Sequence, residues 1–196
     1  MGARRLLAVL ACASALQFTT KQAKSSAELD AATALKASAR PLTKVLLDAA
    51  ATASPEAKAE TMKTLRDLLC AASATQLVAC RGDDDSADVI GTCAVAVRQP
   101  AGSELPLRAH ISDLYVEESC RRNGVANALV QDALFLARSR GLGCVTLEVE
   151  TDNPGAYKLY SKLGFRGESL RSPLAPFKFG TFAWNKDILR LDIVSE

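Results

Sequence analysis

The spacing of apolar residues changes period several times along this chain, and each change marks an element. Leu42, Val45, Leu46 and Ala49 recur at helical spacing after Pro41, and Met62, Leu65, Leu69 and Ala72 do so again. Ser54 and Pro55 precede the second set and suit the cap and first position of a helix. The alanine-rich stretch 28–72 therefore predicts helices broken at Pro41. Residues 76–81 and 89–98 are β-prone runs separated by Gly82 and several aspartates, the punctuation of a hairpin. A loop with two prolines follows at 99–106, then a central strand at 107–116. From 124 to 140 the spacing is helical again: Val125, Leu129, Val130, Ala133 and Leu136 form the face to be buried, and Gly141 ends the helix. Residues 144–150 alternate, with Val145, Leu147 and Val149 on one face and Thr146, Glu148 and Glu150 on the other. Asn153 and Pro154 predict another helix start, running to Gly164. A short strand at 165–170, a loop at 172–182 and an alternating strand at 188–194 complete the chain.

This order predicts an α/β fold on a mixed central sheet flanked by helices. At 196 residues, 48% of them hydrophobic, the chain can bury a substantial core, and one domain is expected over residues 28–196. A dinucleotide-binding Rossmann domain fits poorly, because no Gly-x-Gly-x-x-Gly opens a helix. Residues 1–27 carry Arg4, Arg5, Lys21 and Lys24 and no acid, leaving 20 basic and 22 acidic residues in the remainder. A body so nearly neutral gives no electrostatic reason to expect nucleic acid as a partner. Asp83, Asp84, Asp85 and Asp88 read as a solvated loop in preference to a cation-attracting patch. Cys12, Cys70, Cys80, Cys93, Cys120 and Cys144 show no metal-ligand spacing and no Cys-x-x-Cys. Most fall in apolar runs as small buried hydrophobes, Cys120 is expected to be more exposed, and no metal site is expected.

The chemistry gathers between 113 and 165. Arg121, Arg122, Asn123, Gly124, Val125 and Ala126 lie between a strand ending at Val116 and a helix beginning near Val125. Such a turn offers unpartnered backbone amides and the positive end of a helix dipole to an anion the size of a phosphate. Gly124 lets the backbone approach, Ala126 removes bulk, and the arginines add charge.

Arg-x-x-Gly-x-Ala opening a helix resembles the acetyl-CoA pyrophosphate signature of the GNAT superfamily of N-acetyltransferases. Asn153, Ala156, Leu159, Tyr160, Lys162, Gly164 and Phe165 resemble the second half of the same cofactor site, and the likeness spans about residues 75–170. The resemblance implies a sheet splayed to admit acetyl-CoA as co-substrate. It also implies a bulge in the central strand, with backbone amides near Tyr115 and Val116 bonding the pantetheine arm and polarising the thioester carbonyl. Asn153 and Tyr160 are further cofactor-binding residues on this likeness. Tyr157 either lines the cofactor channel or packs.

The implied reaction moves an acetyl group onto a primary amine, on a peptide or protein α-amine, on lysine, or on a small molecule. An amine arrives mostly protonated, since reference pKa values are about 10.4 for lysine and about 7.7 to 8.0 for an α-amine, so a base is needed. Glu148 is the candidate, twelve residues before Tyr160, as in the bacterial ribosomal-protein N-terminal acetyltransferases it resembles. Tyr160 is expected to protonate the departing thiolate. For each there is a plainer alternative, an exposed strand carboxylate and a core aromatic. Glu117, Glu118 and His110 are weaker base candidates. An acetyl-CoA-binding module without catalysis is the alternative from another class.

Residues 1–27 read as a targeting segment: Arg4 and Arg5 precede an apolar run at 6–13, Ala11, Ala13 and Ala15 are small, and 18–27 is rich in Thr, Ser and Lys. The run is short for a bilayer span, and no membrane association is expected after import. Import into a plastid or mitochondrion is the leading expectation, with a secretory or cytoplasmic fate as alternatives. The competing reading makes 6–10 the first strand of the fold.

Overall fold

The computed structural model describes residues 16–38, 54–69, 74–82, 88–99, 106–167 and 186–193, with a few more between 44 and 52. The described residues form seven strands and four longer helices. They are β1 (Phe18–Gln22), α1 (Ser26–Ser38), α2 (Pro55–Leu69), β2 (Ala74–Arg81), β3 (Val89–Arg98), β4 (Arg108–Val116), α3 (Val125–Ser139), β5 (Cys144–Glu150), α4 (Pro154–Lys162), β6 (Arg166–Gly167) and β7 (Lys186–Asp192). The strands are ordered β1-β2-β3-β4-β5-β7-β6 in a mixed sheet. β4 and β5 are parallel, while β1–β2, β5–β7 and β6–β7 are antiparallel.

Among the described residues the first strand is Phe18–Gln22. It pairs with β2, Phe18 opposite Arg81 and Gln22 opposite Leu77. Among the described residues the sheet thus includes a strand inside the stretch expected to be an address. The 6–10 run lies outside the described residues. Two compact units partition the chain: residues 1–94 with 113–132, and residues 95–112 with 133–196.

In the first unit, α1 begins with a capping box that the pattern Ser25-Ser26-Ala27-Glu28 spells out. The Ser25 hydroxyl accepts the Glu28 amide at 3.2 Å, and the Glu28 carboxylate accepts the amides of Ser25 and Lys24 at 3.0 and 2.8 Å. Lys21 of β1 adds an ion pair to Glu28 at 2.7 Å, which fastens strand to helix. α1 lays Ala32 on Val78 and Cys80 of β2 and on Val89, and sets Ala37 against Leu65 and Met62 of α2. Residues 44–46 and 48–49 are helical, but Ala72 lies outside the described residues, as do Asp83, Asp84 and Asp85. Asp88 turns back onto Arg81 at 2.9 Å.

Gly91 of β3 matters for what it leaves out. A Cβ there would stand 2.9 Å from Val125 Cγ1, 3.2 Å from Leu129 Cδ1 and 3.3 Å from the Tyr115 carbonyl. Its absence lets the first turn of α3 lie against the sheet, with Val125 and Leu129 buried.

In the second unit, Ala133, Leu134 and Ala137 are the buried residues of α3, whereas Leu136, expected on that face, is half-buried. The helix stops in a Schellman turn: the Gly141 amide bonds Arg138 at 2.9 Å and the Leu142 amide bonds Ala137 at 3.1 Å. Val145, Leu147 and Val149 of β5 are buried as the alternation requires, yet Cys144 and Thr146 on the other face are buried too. Both faces of that strand are covered until Glu148. β6 is described at Arg166–Gly167, and 168–170 and Val194 of the expected strands lie outside the described residues.

Candidate functional site

In the first unit the turn carrying Arg121 to Ala126 is built at the end of β4. The Glu117 amide is anchored on the Ile90 carbonyl at 2.8 Å, a single 3-10 turn covers Glu118–Cys120, and Arg121 to Gly124 bring the chain into α3. Gly124 accepts the Ala128 amide at 3.0 Å, so it caps the helix and the amides of Val125, Ala126 and Asn127 have no acceptor one turn back. Arg122 at φ 66° and Gly124 at φ 83° turn the backbone twice through the left-handed region, making a concave run of amides suited to an anion. Space does not explain Gly124, since nothing stands within 4 Å of a Cβ there; the backbone angle does.

The two arginines differ in role. Arg121 folds back, donating from Nε to the Val116 carbonyl at 3.2 Å, with its guanidinium 5.7 Å from the Tyr115 ring centroid. Arg122 is exposed. Asn123 ties the turn together by donating to the carbonyls of Cys120 and Arg121 at 3.3 and 3.0 Å. Tyr115 and Val116 end a strand whose ladder with β5 covers only Ala109, His110 and Ile111. The strained residue is upstream of the expected position: Asp113 lies at φ 51° in the middle of β4. A left-handed residue inside a strand marks a bulge, and aspartate tolerates that conformation better than most.

The nearby carboxylates have partners. Glu117 accepts from the Ser119 hydroxyl at 2.9 Å and pairs with Arg81 at 3.7 Å, whereas Glu118 is exposed. Cys120, expected near the surface, is 2% exposed and sits 3.6 Å from the Arg81 guanidinium and 3.7 Å from the Glu117 carboxylate.

In the second unit β5, α4 and β7 carry Glu148, Asn153, Tyr157 and Tyr160 with their partners. Asn153 caps α4, its Oδ1 accepting the Ala156 amide at 3.0 Å, with Pro154 at the first position. At the other end the Gly164 amide bonds Ser161 at 3.1 Å and the Phe165 amide bonds Tyr160 at 3.0 Å, a second Schellman turn. This turn brings Phe165 edge-on to Tyr160, 5.9 Å between ring centroids at 64°, and leaves Tyr160 only 6% exposed. Glu148 is half-buried and pairs with Lys186 of β7 at 3.7 Å. The Tyr157 hydroxyl donates to Asp187, and that bond, followed by desolvation, pushes its pKa up to about 12. Tyr157 also lines a cleft of 390 Å³ with Ser161, Phe165, Asp187 and Leu189.

His110 is 4% exposed, with Nδ1 3.2 Å from the Thr146 hydroxyl, which itself donates to the Ala109 carbonyl at 3.3 Å. Burial, then Arg98 and Arg108, push the His110 pKa down to about 4. Among the described residues no His, Cys, Asp and Glu side chains gather into a metal-holding group, and no helix is long and apolar enough to cross a membrane.

Residues 43–165 match the model of the acetyltransferase (GNAT) family. The chain belongs to that family. It is 40% identical over 58 residues to GCN5-related N-acetyltransferase 4, chloroplastic, of Arabidopsis thaliana, and 37% identical over 57 residues to an uncharacterised N-acetyltransferase of Methanocaldococcus jannaschii. Those stretches cover 30% and 29% of this chain, and only 20% and 25% of the two relatives. The fold resembles the NatC complex bound to Gag peptide and CoA, with a TM-score of 0.60 and 17% identity over 91% of this chain and all of the other. It also resembles Arabidopsis thaliana NAA60 in complex with a bisubstrate analogue, at 0.52 and 18% over 69% of this chain and 84% of that one.

Sequence reasoning missed Asp113, Lys186 and Asp187. An aspartate within an otherwise β-prone strand was a signal for the first. The other two became visible only through the pairing of β5 with β7.

Proposed function

We propose that the chain is an acetyl-CoA-dependent N-acetyltransferase acting on a primary amine, with a peptide or protein α-amine or lysine as the preferred acceptor class and a small amine second. The observation that carries the reading is the cradle of amides from Arg122 to Asn127 at the start of α3. It supplies what the pyrophosphate of acetyl-CoA needs, unpartnered N–H groups, the helix dipole and the exposed Arg122. Membership of the acetyltransferase family supports the same cofactor. The NatC and NAA60 structures, solved with a peptide and a bisubstrate analogue, support the acceptor class.

In this reading Glu148 takes a proton from the incoming amine, directly or through water, and Tyr160 gives one to the CoA thiolate. The amides of Tyr115 and Val116 hold the thioester carbonyl. No metal takes part. The Glu148–Lys186 pair and the packing of Tyr160 on Phe165 favour one second reading, a protein that binds acetyl-CoA without turning it over. Acetyl-CoA turnover against a panel of peptides and polyamines separates the two. Turnover selective for peptides is expected; acetyl-CoA binding without turnover on any acceptor selects the second reading. Plastid import is proposed for the segment ahead of β1, supported by the chloroplastic relative, and a fluorescent fusion of residues 1–17 that stays in the cytosol refutes it.

A further inference from the structure

Lys36 is the odd residue of α1. A lysine is seldom fully buried, yet this one is 3% exposed. Its Nζ donates to Gln76 Oε1 of β2 at 2.8 Å and lies 3.9 Å from Asp113 Oδ2 of β4. The cation also fixes the Gln76 amide. Its oxygen must face Lys36, because the opposite orientation would set an NH₂ against an ammonium, and the buried Gln76 Nε2 is left with no hydrogen-bond partner among the described residues. An orphaned amide is a cost. The fold sustains that cost to keep the ammonium beneath Asp113.

Asp113 is where β4 departs from strand geometry. It is the left-handed residue at φ 51°, two residues after the ladder to β5 ends at Ile111 and two before Tyr115. A non-glycine residue persists in that conformation only where its surroundings hold it. With Asp113 still partly exposed, Lys36 grips it from the buried side. All these groups belong to the unit that also carries Tyr115, Val116 and the anion turn.

We infer that Lys36 is a positioning residue for acetyl-CoA: by holding the Asp113 carboxylate it locks the bulge of β4 and so sets the backbone amides of Tyr115 and Val116 for the thioester arm. This rests on the acetyltransferase reading above.

The test measures acetyl-CoA affinity by calorimetry and both KM values by steady-state turnover on the full chain, with melting curves in parallel. Lys36→Met should weaken acetyl-CoA binding and raise its KM about tenfold while leaving the acceptor KM unchanged. Lys36→Arg, which keeps the cation, should restore most of the affinity. Asp113→Gly adopts the left-handed angle without help, so Lys36→Met added to Asp113→Gly should bind acetyl-CoA as Asp113→Gly does. A Lys36→Met chain with lower stability but unchanged acetyl-CoA affinity overturns the inference and leaves the acetyltransferase reading standing. A wild-type chain that does not bind acetyl-CoA overturns both. Should Lys36→Met not fold, the two Asp113→Gly chains decide: equal affinities support the inference, and a further loss in the double variant overturns it.

Discussion

Tyr160 has two physical explanations that predict different things. At Cα level it is the residue whose carbonyl closes the Schellman turn, and its ring is the apolar contact that such turns place under the residue after the glycine, here Phe165. The spacing Tyr160 to Gly164 to Phe165 was legible as a motif. That half of it is helix-stop physics was not, because the rings must be seen to meet. Tyr160→Phe keeps the ring and the turn, so melting temperature and acetyl-CoA affinity should stay close to wild type. If the hydroxyl protonates the thiolate, turnover falls by roughly 10² to 10⁴. Full activity would make Tyr160 a packing residue and nothing more. Glu148 is tested the same way. Glu148→Gln should bind acetyl-CoA normally, lose most turnover at neutral pH and recover as rising pH supplies free amine. A rate and pH profile matching wild type would transfer the role to another carboxylate. Lys186 was invisible at this scale, since residues 38 positions apart meet only once β5 and β7 are paired.

Elements whose ends are set by local chemistry were readable, and those set by packing were not. The start of α2 at Pro55, the cap at Asn153 and the stops at Gly141 and Gly164 follow from residue type alone. The half-buried Leu136 depends on neighbours far along the chain. Gly91 shows the limit best: in a strand pattern it reads as a weakness, and in the fold it is the clearance for α3. Gly91→Ala forces a methyl against Val125, Leu129 and the Tyr115 carbonyl at once. Overpacking of this kind costs about 1–3 kcal/mol, readable by urea unfolding. Because Val125 is also the first residue of α3, acetyl-CoA affinity should fall together with stability. Gly124→Glu acts at the anion turn and not through packing. It meets open space, so the loss of fold stability is limited to the left-handed angle, about 1–3 kcal/mol, while its carboxylate occupies the amide cradle and acetyl-CoA binding is abolished. Unchanged affinity in a folded Gly124→Glu chain would remove the phosphate-site assignment.

For the whole molecule, the decisive question is where the folded chain begins, and Glu28 ties its answer to pH. Lys21, then the amides of Ser25 and Lys24, hold the Glu28 pKa at about 2 against an ordinary 4.5. A carboxylate depressed in the folded state contributes stability that is full above pH 4.5 and lost as pH falls toward 2. The shift corresponds to about 3 kcal/mol, and the partial exposure of Lys21 screens it to about 1–2 kcal/mol. All three groups that lower it, Lys21 and the amides of Ser25 and Lys24, lie before residue 26, as does the Ser25 cap, in the stretch whose composition reads as an address. A chain starting at residue 16 keeps β1, Lys21 and the cap, and should unfold as the full chain does. One starting at residue 27 loses the five-pair β1–β2 ladder, the cap and the ion pair. Cap and ion pair alone account for about 2–3 kcal/mol, a drop in melting temperature of roughly 5–10 °C for a chain of this size. The gap between the two truncations should narrow as pH falls from 4.5 toward 2, because the Glu28 contribution vanishes from the longer chain first. Equal melting temperatures at pH 7 would mean that β1 adds nothing to the fold, and the address would then extend to residue 27 after all.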